Sequence, residues 1–316
     1  MQPNLSRREL LATGLALGVG CGAGSLAGAQ ATPAARSPAE PFGYSLNTST
    51  IRGQELGIVR EVEIAAAAGY HAIEPWLGEL DKYVKEGGSL KDLGKRIRDL
   101  GLTVESAIGF AQWIVDDEEA RRKGLEQARR DMDVLVQIGG KRIAAPPAGA
   151  TDKPGPDLAT AAARYRALLE LGAQIGITPQ VEVWGFSKTL SRLGESTQVA
   201  MESKHPHACV LPDVYHLYKG GSDFEGLKLL AGNGVHVFHI NDYPAAPPRG
   251  EITDAYRVYP GDGVAPLKSV VRTLRDNGYR GFLSLELFNR EYWKQDAAEV
   301  ARTGLEKTRA VVQSAT

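Results

Sequence analysis

Four short apolar runs are each interrupted by one ionisable group that packing alone does not call for. They read Val181-Glu182-Val183-Trp184, Val210-Leu211-Pro212-Asp213, Val237-Phe238-His239-Ile240 and Leu283-Ser284-Leu285-Glu286-Leu287. A carboxylate buried without a partner is costly, and the partner that satisfies several converging carboxylates at once is a cation. Singly, each acid reads as an ion-paired or capping group; together they read as a metal site. Three carboxylates and one imidazole form a hard, oxygen-rich set of formal charge -3. It suits one divalent metal, Mn2+ first, with Mg2+, Co2+, Fe2+ or Zn2+ as alternatives, rather than a thiolate-seeking ion.

Convergence requires that the four residues share one end of a sheet. They stand 31, 26 and 47 residues apart, each about one strand-helix repeat, the last with an insertion. From Pro41 onward the chain alternates short apolar runs with longer amphipathic ones. The predicted strands are Phe42 to Asn47, Ala72 to Trp76, Thr103 to Ile108, Arg142 to Ala145, Thr178 to Val183, Ala208 to Asp213, Val235 to Ile240 and Phe282 to Leu287. Helical spacing lies between them, as in Leu125, Ala128, Met132, Leu135 and Val136, and glycines such as Gly69, Gly101, Gly139, Gly176 and Gly278 close the helices. Eight strands alternating with helices make a parallel sheet covered on both faces, and a closed (β/α)8 barrel in one domain, residues 41–316, is the natural solution. An open doubly wound sheet would want a Gly-rich phosphate turn after its first strand, and Asn47-Thr48-Ser49-Thr50 is none. Two long loops, Pro146 to Pro156 and Tyr243 to Tyr259, follow the fourth and seventh strands, where barrels cover their sites.

These residues resemble a family, the xylose isomerase-like TIM barrels, which include sugar phosphate isomerases/epimerases and ketohexose 3-epimerases. The resemblance covers nearly the whole chain from Pro41 onward. It rests on Glu182, on Asp213-x-x-His216, on His239-Ile240-Asn241-Asp242, on Arg257-Val258-Tyr259-Pro260-Gly261-Asp262-Gly263 and on Glu286. It implies that Glu182, Asp213, His239 and Glu286 bind the metal and that His216 and Arg257 contact substrate. It also implies that Glu182 and Glu286 carry the catalysis, one removing a proton beside a carbonyl polarised by the metal and the other returning one. Arg257 would steady the developing oxyanion and His216 a hydroxyl. Read as loop residues only, Arg257 would pair with Asp254 or Asp262.

Glu74, ending the second strand, is a candidate for sugar hydroxyls or for a loop ion pair. Trp76, Trp113 and Trp184 follow strand ends and offer apolar ring faces to a sugar or to rim packing. Asn289, Tyr292 and Trp293 would shape the pocket or order the last loop. Lys188 stands where the family's ketohexose 3-epimerases carry a second glutamate, which places a cation near the substrate instead.

The rest of the composition sets limits. The chain has 316 residues, 37 Lys+Arg against 38 Asp+Glu, and two cysteines. Disordered, collagen-like and disulfide-stapled classes are excluded, and no basic run offers itself to nucleic acid. Ser6-Arg7-Arg8-Glu9-Leu10-Leu11, the apolar stretch after it and Ala27-Gly28-Ala29 and Ala29-Gln30-Ala31 give residues 1–31 the form of a twin-arginine signal peptide. That predicts the twin-arginine export machinery as a partner and a periplasmic or secreted protein with no stable membrane anchor. Gly18, where a lipoprotein signal has Leu, argues against lipidation at Cys21.

The expected activity is a metal-dependent isomerase or epimerase of a keto sugar or related polyol derivative. Its small-molecule carbohydrate partner is non-phosphorylated, since sugar phosphates are cytoplasmic. Two other readings share the site: a lyase or glycoside-cleaving enzyme on 3-keto-sugars, and a non-catalytic sugar-binding barrel. The family's DNA-repair endonucleases, with more His and acidic ligands, fit less well. The sequence allows a homo-oligomer without specifying one.

Overall fold

The computed structural model describes residues 40–315, so the leader 1–31 lies outside the described residues. Its strands are β1 (Gly43–Asn47), β2 (Ala72–Glu74), β3 (Arg142–Ala145), β4 (Thr178–Glu182), β5 (Val210–Leu211), β6 (Val237–Ile240) and β7 (Phe282–Leu285). They pair in parallel as β2-β1-β7-β6 and as β3-β4-β5, with registers such as Ser45 opposite Ala72 and Val181 opposite Val210. Isolated parallel bridges close the circle. Val210 meets Val235 and Asp213 meets His239 on one side; on the other, Ala72 meets Thr103, Trp76 meets Ile108 and Val104 meets Gly140.

The expected third strand, Thr103 to Ile108, is therefore a stave of the barrel without a continuous ladder. Its neighbour Pro75 has no N–H to donate, so pairing continues only through bonds such as Ile108 N to the Pro75 carbonyl, at 2.9 Å. Glu105 in this stretch turns to Lys141 and Arg142, at 2.6 and 3.2 Å.

The helices that cover the barrel are α1 (Ile58–Ala68), α2 (Leu77–Lys85), α3 (Leu90–Asp99), α4 (Glu118–Ile138), α5 (Leu158–Ile175), α6 (Leu193–Glu202), α7 (Val214–Gly220), α8 (Leu267–Asp276) and α9 (Ala297–Ser314). Asp117, Asp157 and Asp296 cap α4, α5 and α9 through backbone N–H groups of the first turn. The five glycines read as stops all have positive φ, from 74° at Gly101 to 91° at Gly69. None of the described helices is long and apolar enough to cross a membrane.

Strand parity sorts the side chains. Leu46, Ile73, Val181, Phe238, Ile240, Leu283 and Leu285 belong to the large core shared with the helices, while Ile108, Ala144, Leu211 and Val237 form a separate small cluster. Stepping by two from that second set gives Asp213 after Leu211 and His239 after Val237. The same alternation sets Glu182 after Gln180 and Glu286 after Ser284, so the polar residues occupy the lumen at the carboxyl ends of the staves.

Candidate metal centre and its cavity

Asp213, His239 and Glu286 each bring a donor atom to one place, all within 4.8 Å of one another and all buried. His239 Nδ1 lies 3.3 Å from Glu286 Oε2 and 3.7 Å from Asp213 Oδ2. The local sequence sets Asp213 up for two tasks. As the cap of α7, its Oδ1 accepts from His216 N at 2.7 Å, while Oδ2 accepts from Asn241 Nδ2 at 2.9 Å and faces the site. Asn241 in turn accepts from Tyr215 N at 2.9 Å, which fixes its amide.

Among the buried lumen atoms without a hydrogen-bond partner are His239 Nδ1 and Glu182 Oε2. A ring nitrogen that a metal would relieve of its proton and a free carboxylate oxygen, beside two further carboxylates, are the donors a divalent ion requires. Asp213, His239, Glu286 and Glu182 therefore fit such an ion, the first three as one cluster and Glu182 from the adjoining cavity wall.

Around this set one guanidinium serves several carboxylates. Arg257, fully buried, sends Nη1 to Asp213 Oδ2 at 2.8 Å and to Glu286 Oε2 at 2.7 Å, and Nη2 to Asp254 Oδ1 at 2.5 Å. Its Nη2 also lies 3.2 Å from His216 Nε2, and its guanidinium sits over the rings of Tyr215 and Phe288. Both readings of Arg257 thus hold in part, because it pairs with Asp254 while also facing the site. Burial opposes ionisation of Glu286, but His239 and Arg257 outweigh it and hold the carboxyl below its usual range. At Glu182 burial dominates, Glu286 and Asp213 add to it, and the pull of His239 does not offset them, so its carboxyl is pushed up to about 8. Burial likewise lowers His216 to about 4, so that ring is neutral near pH 7.

Arg257 arrives on the loop after β6, and Asp242 fastens both ends of that loop. Asp242 Oδ1 accepts from Tyr243 N and Ala265 N at 2.8 and 2.9 Å, and Oδ2 from Gly261 N and Gly263 N at 3.0 and 3.1 Å. Its backbone pairs with Val258. Gly263 is required there, because a Cβ would lie 2.3 Å from Asp242 Oδ1. Asn289 Nδ2 donates to the Arg257 carbonyl at 2.9 Å, and Tyr292 stacks on Tyr259.

A cavity of about 250 Å³ opens above these groups, with Glu182, Glu286, His216, Asp254 and Arg257 among its lining. Five aromatic rings complete it: Trp76, Phe110, Trp184, Phe186 and Phe288. They form a connected collar, with centroids 5.1 Å apart for Trp76 and Phe110, 6.0 Å for Phe110 and Trp184, and 5.1 Å for Trp184 and Phe186.

The structure brings Glu182, Glu286, His216, Arg257 and Trp184 to this cavity and places three expected substrate contacts elsewhere. Glu74 lies beneath it, fully buried, with Oε2 bonded to His239 Nε2 at 3.0 Å, Ser284 Oγ at 2.6 Å and Asn47 Nδ2 at 3.0 Å. A sugar hydroxyl has no path to that oxygen, and the group that Glu74 orients is the imidazole. Trp113 is buried away from the cavity, its indole N–H donating to the Pro146 carbonyl at 2.8 Å. Lys188 is exposed and does not line the cavity. Phe110, Phe186 and Phe288 went unread, since ring positions in loops carry no periodic signal, and Asp254 was read only as a partner for Arg257.

A parallel α/β barrel whose carboxyl face gathers acids and an imidazole into a buried donor set defines an enzyme scaffold of the metal-site kind. The chain belongs to the xylose isomerase-like TIM barrel family, whose model matches residues 62–311. Among curated proteins it is similar to inosose isomerase of Bacillus velezensis (strain DSM 23117 / BGSC 10A6 / LMG 26770 / FZB42), 26% identical over 257 residues, 80% of this chain and 91% of that one. It is 26% identical over 230 residues to 3-dehydroshikimate dehydratase of Pseudomonas aeruginosa (strain ATCC 15692 / DSM 22644 / CIP 104116 / JCM 14847 / LMG 12228 / 1C / PRS 101 / PAO1), 72% of this chain and 36% of that longer protein. Of solved structures, the IOLI protein with a binding zinc atom superposes with a TM-score of 0.81 at 22% identity, covering 87% of this chain and 99% of the other.

Proposed function

We propose that this protein is a divalent-metal-dependent isomerase or epimerase of a keto sugar or cyclic keto polyol, working by proton transfer at the carbon beside the ketone. The observation that carries the reading is the pair Glu182 and Glu286. Both line one cavity beside the donor set, and their surroundings push their proton affinities apart. Asp213, His239 and Glu286, with Glu182, would hold the ion. When bound, a divalent metal there polarises a ketone and acidifies the neighbouring C–H.

The chain's own groups supply the remainder. Glu286, kept ionised by Arg257, is the acceptor for a proton, and Glu182, with a free oxygen and a raised proton affinity, is the donor. Arg257 presents a fixed positive charge to an oxygen that gains charge, and neutral His216 offers a ring nitrogen to a hydroxyl. The aromatic collar excludes water and offers apolar faces to the C–H groups of a sugar. The lining's one cation, Arg257, is already committed to three carboxylates, which favours an uncharged substrate over a phosphate ester.

Mn2+ is the metal proposed from the donor chemistry, with zinc supported as the alternative by the ion in the IOLI protein. Similarity to the dehydratase supports a second reading, in which the same proton removal expels a leaving group. Export to the periplasm is proposed from Ser6-Arg7-Arg8 and the apolar stretch after it. Incubating the metal-loaded protein with inosose or 3-keto-glucosides in D2O tests the activity. Deuterium at the carbon beside the ketone, with no released fragment, is expected; release of a fragment selects the lyase reading.

A further inference from the structure

A second cavity, of about 440 Å³, adjoins the first on the same face of the barrel, and Trp76 and Phe110 line both. Its inner wall is acidic. Glu79 from α2 accepts from Thr48 Oγ1 at 2.5 Å and faces Arg52, whose Nε is 4.0 Å away while its guanidinium lies 3.8 Å over the Trp76 ring. Glu61 from α1 lies beside Glu79, is only 3% exposed, and its Oε2 has no hydrogen-bond partner. Glu55 and Glu86 stand at the rim, and Lys82 pairs with Glu86 at 3.9 Å.

We propose that this cavity is a second subsite of the enzyme, in which Glu61 and Glu79 receive an ammonium group carried on a substituent of the sugar held beside the metal centre. The inference rests on the activity proposed above and adds the form of the substrate: a keto sugar with a cationic aglycone or side arm that passes Trp76 and Phe110. Arg52 stands at the limit of ion-pair distance from Glu79, and Glu61 beside it keeps an oxygen with no hydrogen-bond partner, so an arriving ammonium would find one loosely paired carboxylate and a second carboxyl whose proton it can displace. Phosphate or carboxylate substituents would meet four glutamates against two cations, Arg52 and Lys82, each already facing a glutamate. A divalent metal finds too few ligands here, since no group of three donors forms among the described residues of this cavity. In keeping with the missing counter-charge, burial and then the neighbouring Glu79 push the Glu61 carboxyl up to about 8.

The test is calorimetric titration of the metal-loaded full chain with two probes, methyl 3-keto-β-D-glucopyranoside and 2-aminoethyl 3-keto-β-D-glucopyranoside, with deuterium exchange followed in parallel. The aminoethyl probe is expected to bind about tenfold more tightly than the methyl one. Glu61→Gln should reduce that ratio toward one, and Arg52→Met, which removes the resident cation, should increase it. Equal affinities in the wild type, or a ratio unmoved by either variant, overturn the subsite even where exchange occurs. Preferential binding of the aminoethyl probe without exchange keeps the subsite and overturns the activity. Failure of both probes to bind overturns both.

Discussion

Glu74 Oε2 lies 3.0 Å from His239 Nε2 and thereby leaves the other ring nitrogen, Nδ1, facing Asp213 and Glu286. Burial opposes the charge on Glu74, but His239 and the hydroxyl of Ser284 hold its carboxyl below the usual range. A carboxylate in that position fixes the tautomer and the ring angle of a metal-binding imidazole.

Replacing Glu74 by Gln therefore weakens metal binding without contact with the ion. A loss of about 10- to 100-fold in affinity is expected, with the far-ultraviolet dichroism unchanged. Titration of the metal-free protein with Mn2+ or Zn2+ checks it, and an unaltered affinity would assign Glu74 a packing role only.

Asp242 acts on the site at a distance. Losing its carboxylate in Asp242→Ala strands the N–H groups of Tyr243, Gly261, Gly263 and Ala265 and costs about 3 kcal/mol. Hydrogen exchange should quicken at those amides and at Arg257 while the strands Val237–Ile240 and Phe282–Leu285 stay protected. Uniform loss of protection would show that the clamp serves the whole barrel and not the loop.

Stability should depend on pH through Glu61. Its folded value of about 8 exceeds the unfolded value near 4.5, so between these limits the folded protein holds a proton that the unfolded chain has released. Its contribution is complete below pH 4.5, falls as pH rises and is gone above pH 8. The melting temperature of Glu61→Gln relative to the wild type should accordingly rise from pH 5 to pH 8.5, and a constant difference would contradict the assignment.

Cys209 is buried, and burial pushes its thiol up to about 12. At pH 8 it should resist iodoacetamide in the native protein and react fully in denaturant, as mass spectrometry would record. Rapid labelling of the native state would mean that the β4-β5 region opens readily.

Much of this architecture was legible from local pattern. Apolar runs at regular spacing located every stave, and glycines at Gly69, Gly139 and Gly176 marked helix ends, because each signal is written within a few residues. The convergence of Asp213, His239 and Glu286 was legible from their place at strand ends about one repeat apart, and parity along each strand points the residue two places after Leu211, Val237 or Ser284 into the lumen. The broken ladder at Thr103 to Ile108 was not, since it depends on Pro75 in the neighbouring stave. Nor was the place of Glu74, whose partners His239 and Ser284 are 165 and 210 residues away. Trp113 looked like a ring for a sugar until the Pro146 carbonyl claimed its indole.

The central claim is that Glu182 and Glu286 exchange a proton with the carbon beside a ketone. Nuclear magnetic resonance of a keto sugar or inosose in D2O, with wild-type, Glu182→Gln and Glu286→Gln proteins at matched metal content, tests it directly. The account predicts deuterium incorporation by the wild type and a loss of at least about 100-fold in each variant. A wild-type protein that holds stoichiometric metal and binds the keto compound, yet exchanges no proton, would contradict it and leave a sugar-binding barrel.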